Sequence, residues 1–210
     1  MKILHIKSSP RGQRSISTKL SQAFLEALSS DVVKIEVDEL DVWALDLLPF
    51  DGPALDAKYA DLTGVEMTVE QHAVWQQIDE LGWRFRNTDL IVFSVPMWNF
   101  GIPYRLKHLI DVVSQRGVLF TFDAEGMRGL LAGKKVVICA ARGLALGPDY
   151  PAEEYDHQVA YLRTWSRMVG IEDVEVVLSQ ATLSGEDVAE ADFSAAIAQA
   201  SKIAKALKGS

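Results

Sequence analysis

Asp89-Leu90-Ile91-Val92-Phe93-Ser94-Val95 runs directly into Pro96-Met97-Trp98-Asn99-Phe100-Gly101-Ile102-Pro103. The first half is apolar at almost every position, the pattern of a strand covered on both faces, since a strand with one wet face alternates. The second half is a loop framed by prolines. Each proline restricts φ and withholds a donor, and Gly101 is read as the residue that permits a backbone path closed to others. The peptide groups of Met97 to Phe100 are then held in one geometry, suited to presenting N–H and C=O groups to a flat polar heterocycle. Pro103 is expected in the first turn of a helix, because Leu106, Leu109, Ile110 and Val113 recur at helical spacing behind it. A buried strand, a rigid loop and a helix make one unit of an open α/β sheet, which binds ligands at the carboxyl ends of its strands.

Similar apolar runs occur at Ile3 to Lys7, Val32 to Val37, Lys135 to Ala141 and Asp173 to Leu178. Helical stripes lie between them. Leu20, Ala23, Phe24, Ala27 and Leu28 share a face behind the N-cap candidates Ser15 and Ser17. Val74, Ile78, Leu81 and Phe85 share another, as do Tyr155, Val159, Leu162 and Val169, and then Phe193, Ile197, Ala200, Ala204 and Leu207. Strand and helix alternate, which predicts a doubly wound, five-stranded parallel sheet of flavodoxin-like order 2-1-3-4-5 with helices on both faces. One domain is expected across residues 1–210. Two intervals break the rhythm. Asp38 to Gly64 holds Trp43, Pro49, Gly52, Pro53 and Tyr59 without sustained periodicity and is read as an irregular excursion. Val118 to Phe122, followed by Asp123 to Gly129, is read as a short β excursion with a glycine-bearing turn.

A formal net charge of −8 argues against nucleic acid or an anionic membrane as partner and favours small molecules. Met1-Lys2-Ile3-Leu4-His5-Ile6-Lys7 lacks the apolar core of a signal peptide, and no apolar run approaches a membrane span, so a cytoplasmic protein is expected. The single cysteine, Cys139, sits in an apolar run and reads as a buried, inert thiol. His5 falls on a strand and His72, His108 and His157 on expected helices, none at metal-ligand spacing, so no metal site is expected. There is no GxSxG and no convincing Ser/His/Asp set.

Three loops follow strands that the 2-1-3-4-5 order makes neighbours. In Ser8 to Ser17, the hydroxyls of Ser9, Ser15 and Ser17 and the helix N-terminus behind them suit a phosphate; the same serines read equally well as ordinary caps. Neither GxxxxGK[ST] nor GxGxxG is present, which speaks against P-loop chemistry and weakens a dinucleotide site. The second loop is Met97 to Phe100 and the third Ala140 to Pro148, so a phosphate pocket lies on one side and a slot for a ring on the other. Trp98 is expected to be exposed, since a loop between prolines is an unusual place to bury so large a group, whereas Phe120, Phe122 and Trp165 read as core residues by default. The chain offers a scaffold for a cofactor and little acid, base or nucleophile of its own.

These residues resemble the FMN-dependent NADH:quinone oxidoreductases, also called FMN-dependent NADH-azoreductases, over almost the whole chain. The resemblance rests on Ser8-Ser9-Pro10-Arg11 with Ser15 and Ser17, and on Pro96 to Pro103 with Leu106-Lys107 and Ile110-Asp111. Gly117-Val118, Phe120, Gly129-Leu130 and Gly133-Lys134-Lys135 extend it. It implies tightly bound FMN, with Ser9, Ser15, Ile16 and Ser17 on the phosphate and ribityl chain. It further implies Met97, Trp98, Asn99 and Phe100 along the isoalloxazine, and Arg142 and Gly143 closing its far side. The implied reaction is two-electron, ping-pong hydride transfer from NADH or NADPH to quinones or azo compounds, with no residue committed as catalytic acid or base. The family is homodimeric with sites at the interface, which implies that Phe120, Phe122 and Trp165 complete a substrate pocket, with Leu146 at its mouth. Ala141, Leu144, Leu146 and Phe122 stand where the family often has serine, glycine, histidine and tyrosine, which implies a more apolar mouth. The rival reading is a flavodoxin-type one-electron carrier, which the acidic charge would suit and the two excursions, as walls of an enclosed pocket, oppose.

Overall fold

The computed structural model describes residues 1–29 and 34–208. Its central strands are β1 (Lys2–Lys7) and β3 (Leu90–Pro96), which pair in parallel, Ile3 opposite Leu90 and Lys7 opposite Ser94. β2 (Glu36–Asp41) adds to the outer side of β1, and β6 (Lys135–Ala141) and β7 (Asp173–Ser179) extend the sheet beyond β3. The order β2-β1-β3-β6-β7, all parallel, is the expected 2-1-3-4-5 counted along the sheet. Between β3 and β6 the chain makes the separate antiparallel hairpin β4 (Phe120–Asp123) and β5 (Gly126–Gly129).

Side chains alternate across the sheet. Leu4, Ile6, Ile91, Phe93, Val95, Val136 and Ile138 point into one core, with α3 (Val69–Arg86), α4 (Tyr104–Val113) and α6 (Val159–Met168). Ile3, Leu90, Val92, Val137 and Cys139 point into the other, under α1 (Ile16–Leu28) and α7 (Glu186–Lys208). Each large side chain so buried contributes roughly 1.5–3 kcal/mol, which is why the central runs lack alternation. Small residues Ala196, Ala200 and Ala204 bring α7 close against α1. Burial pushes the Cys139 thiol well above its usual pKa, so it stays protonated.

Several expectations need correction. The second strand is Glu36–Asp41 and not Val32 to Val37; Val32 and Val33 lie outside the described residues, and Lys34 and Ile35 are not in a strand. β2 is an edge strand held by its ladder to β1, so it buries only Leu40 and carries little apolar signal. The interval Asp38 to Gly64 is not irregular throughout, since it contains α2 (Gly52–Thr63). That helix buries Ala54, Ala57 and Ala60, whose small side chains give weak hydrophobic contrast. The stripe from Tyr155 to Val169 is broken: α5 (Ala152–Tyr155) ends, and the Asp156 carboxylate accepts the N–H groups of Gln158 and Val159 to start α6. His157 therefore lies in a turn. Pro103 is the N-cap of α4, one place before its first turn.

The hairpin is fastened at its base. A Cβ on Gly129 would lie 2.0 Å from the Val169 carbonyl carbon, so only glycine allows this approach, and Leu131 N–H donates to the Val169 carbonyl at 2.8 Å.

Candidate functional site

The loops after β1, β3, β6 and β7 meet at the carboxyl edge of the sheet. Ser8 N–H donates to the Ser94 carbonyl, Met97 N–H to Ala141, and Arg142 N–H to Ser179, which locks the loop bases side by side. Beyond Ser8 the chain makes a 3-10 turn at Gly12–Arg14 and enters α1 at Ile16. No side chain caps this helix and its first turn holds no acidic residue. The Ser15 and Ser17 hydroxyls, both buried, bond to each other at 3.0 Å instead. The first N–H groups of α1 have no helical partner, and the positive end of the helix dipole lies among them.

The second loop is a tight turn. Trp98 N–H donates to the Gly101 carbonyl at 3.0 Å and Gly101 N–H returns to Trp98 at 2.9 Å, with Asn99 (φ 48°) and Phe100 (φ 67°) between them. Two positive φ values make a hairpin-type turn, and the left-handed residues are Asn99 and Phe100, not Gly101 as expected. For Phe100 this conformation costs roughly 1–2 kcal/mol. Its carbonyl accepts from His157 N–H at 3.0 Å, and its ring lies 6.2 Å from Tyr150 and 5.0 Å from Tyr155. Among the described residues the N–H groups of Asn99 and Phe100 donate to no backbone carbonyl. Trp98 is 36% exposed, as its position between prolines led us to expect.

In the third loop the buried Arg142 guanidinium donates to Asp156 at 2.6 Å and to Gln158 at 3.0 Å, and Gln158 donates to the Val95 carbonyl. The arginine side chain is therefore a clasp between loop and α6. Gly143 faces Leu183, which is 86% exposed and whose loop is tied down by Thr182 N–H to Arg142 and Leu183 N–H to Gly143.

These elements enclose a cleft of about 240 Å³. Ser9, Ser15 and Ile16 line one end, Met97 and Trp98 one wall, and Arg142 and Gly143 the other. Ser17 lies fully buried behind Ser15, and Asn99 and Phe100 form the tip of the turn. Four expected residues are not brought there within one chain. Trp165 packs in the core, its Nε1–H on the Ser114 hydroxyl and its ring edge-on to Phe85 and Phe93, and does not line the cleft. Phe120 and Phe122 sit edge to face on the hairpin. Leu146 does not line the cleft, and the residues that flank Phe100 are Tyr150 and Tyr155. Thr182 and Leu183 line it and were missed, although they follow the fifth strand, a position that the carboxyl-edge rule also covers. A wider groove of about 680 Å³ lies beyond the turn, lined by Phe50, Tyr104, Lys107, Asp111, His157 and Tyr161 among others.

A parallel sheet of this order, with an uncapped helix start and a rigid aromatic turn on either side of its switch point, defines a flavodoxin-like cofactor-binding protein. A family model described as "Flavodoxin-like fold" matches residues 1–204. FMN-dependent NADH:quinone oxidoreductase 2 of Pseudomonas syringae pv. tomato is 66% identical over 208 residues, 99% of this chain and 100% of the relative. FMN-dependent NADH:quinone oxidoreductase 9 of Burkholderia lata is 44% identical over 97% of this chain and 98% of its own. Among solved structures, an azoreductase from Bacillus anthracis str. Sterne superposes with a TM-score of 0.87 at 28% identity, covering 97% of this chain and 98% of its own. An FMN-dependent NADH-azoreductase from Bacillus anthracis str. Ames Ancestor in complex with FMN gives 0.82 at 25% identity, covering 97% and 99%. The chain belongs to the family of FMN-dependent NADH:quinone oxidoreductases.

Proposed function

We propose that the chain binds FMN in this cleft and there transfers two electrons from NADH or NADPH to quinones or azo compounds. The observation that carries the site assignment is the start of α1. Two serines stand where caps belong, yet neither caps the helix, and their paired hydroxyls lie beside unpartnered N–H groups with no carboxylate in the first turn. That donor set fits a dianionic phosphate, with Ser9, Ser15, Ile16 and Ser17 around it and Arg11 at the rim. The N–H groups of Asn99 and Phe100 and the exposed indole of Trp98 fit the polar edge and the face of an isoalloxazine. Backbone and not guanidinium would meet its far side at Arg142 and Gly143, since the Arg142 side chain is engaged elsewhere.

FMN supplies the hydride chemistry when bound. The protein holds donor and acceptor in turn against one face, excludes water with Trp98 and Leu183, and needs no committed acid or base. We infer a further wall from a second copy in a homodimer, since Trp98 and Leu183 stand exposed at the cleft. Phe122 and Met127, opposite each other on the hairpin and 54% and 51% exposed, are the apolar groups offered for that role. We read residues 1–210 as one domain and as cytoplasmic, which the net charge of −8 and the single cysteine suit; no helix among the described residues is long and apolar enough to cross a membrane.

Denaturing the purified protein should release FMN, and the loaded protein should oxidise NADH with a naphthoquinone as the only other reactant. Release of FAD would overturn the cofactor site. Dependence of turnover on an added protein partner would favour the one-electron carrier.

A further inference from the structure

Trp43 lies just after β2, outside the cleft, and is partly buried, yet several contacts fix it. Its backbone N–H donates to the Asp41 carboxylate at 2.9 Å, and its indole Nε1–H donates to the Ser8 carbonyl at 3.0 Å. Its ring is 5.9 Å from that of Trp98, tilted by 50°, and meets Tyr104 edge-on at 5.4 Å. The Arg105 guanidinium lies 5.9 Å from the indole centroid and is itself immobilised by donation to the carbonyls of Val42 and Leu45. Ser8 immediately precedes Ser9, at the root of the first loop, and Trp98 walls the cleft. Among the described residues Trp43 is the one ring in contact with Trp98. A single side chain therefore joins the phosphate end of the cleft to its aromatic wall.

We propose that Trp43 is a positioning residue for the reaction: hydrogen-bonded to Ser8 and packed on Trp98, it sets the angle and distance of the Trp98 indole relative to bound FMN. Trp43 itself touches neither cofactor nor substrate. An exposed indole on a turn has alternative rotamers, and a fixed neighbour removes them before the ligand arrives, so less ordering is needed on binding. Phenylalanine at this position would keep an aromatic ring but lose the N–H that orients it. The inference rests on the assignment of FMN to this cleft.

The test compares FMN-loaded wild type, Trp43→Phe, Trp98→Ala and the double variant. Its readouts are the visible absorption and fluorescence of the flavin, and KM and kcat for a naphthoquinone. Trp43→Phe should shift the flavin spectrum in the same direction as Trp98→Ala and raise KM about three- to tenfold, the range of one neutral hydrogen bond, with a smaller change in kcat. In the Trp98→Ala background it should change neither, because its effect passes through Trp98. If Trp43→Phe does not fold, Arg105→Lys, which loosens the cation beside Trp43 and alters neither indole, should act in the same direction. A wild-type spectrum and KM in Trp43→Phe, or an undiminished effect in the Trp98→Ala background, would overturn the proposal and leave Trp43 as packing. An unchanged flavin in Trp98→Ala would overturn the cleft assignment and this proposal with it.

Discussion

His5 is enclosed within β1, where its Nε2 lies 2.8 Å from the Ser94 hydroxyl. Ser94 donates to Ser21, and Ser21 to the Thr18 carbonyl, so the neutral ring donates from Nε2 into a chain of hydroxyls that all point one way. Burial holds the imidazole pKa down to about 4, although Glu39 pulls it up and Lys7 opposes that pull. Unfolded, the ring would titrate near its ordinary 6.5, so between the two values the unfolded chain binds a proton that the native one refuses. The His5 contribution to stability is present above pH 6.5 and is lost as pH drops toward 4, by about 3 kcal/mol in all. Urea unfolding at pH 7 and pH 4.5 should show that loss, and His5→Gln should flatten it; equal slopes for both proteins would assign the acid sensitivity elsewhere. Ser17 belongs to the same scale. Its hydroxyl serves the proposed phosphate end, so Ser17→Ala should weaken FMN binding by roughly 1.5–3 kcal/mol, about one to two decades, while saturated turnover is kept. Flavin titration measures this, and an unchanged affinity would remove Ser17 from the site.

Among the elements, the join between the β6 loop and α6 is the most exposed to single substitutions. Asp156 does two things there, pairing with the buried Arg142 guanidinium and accepting the first N–H groups of α6. Asp156→Ala leaves a buried cation without its partner and a helix without its cap. The expected cost is about 3–5 kcal/mol in unfolding free energy, with a looser wall beside Gly143. Asp156→Asn, which retains an oxygen for the cap but not the charge, should cost less. Equal losses for the two variants, measured by urea titration of the apoprotein, would mean that the ion pair and not the cap carries the join.

At the scale of the molecule, the hairpin stands apart from the five-stranded sheet. A two-stranded ribbon is marginal on its own, and this one is fastened at its base while its far end offers Phe122 and Met127 to solvent. A second copy of the chain is the occupant we propose. Phe122→Lys with Met127→Lys should shift sedimentation equilibrium toward monomer and lower quinone turnover. An unchanged mass would place any dimer contact on another face, the wide groove along α4 being the alternative.

Periodicity alone determined the class of fold, because strands buried on both faces must be apolar throughout and the helices over them must carry stripes. The proposed phosphate end was visible for a similar reason: serines at a helix start act locally, within a few residues of chain. Other features depended on contacts between distant segments. The edge strand Glu36–Asp41 is held by its ladder to β1, α2 hides behind alanines, and the left-handed turn at Asn99 and Phe100 is stabilised by His157, Tyr150 and Tyr155. Arg142 could be assigned to the loop from sequence, but its engagement by Asp156 and Gln158 required α6 to be folded beside it. Trp165 read as core by default and as a pocket residue only through the family resemblance, and its packing against Phe85 and Phe93 required the tertiary structure to be seen. Leu183 follows the fifth strand, where the carboxyl-edge rule applies, whereas Trp43 is tied to the first loop by a hydrogen bond between segments remote in the chain, and such a bond leaves no periodicity to read.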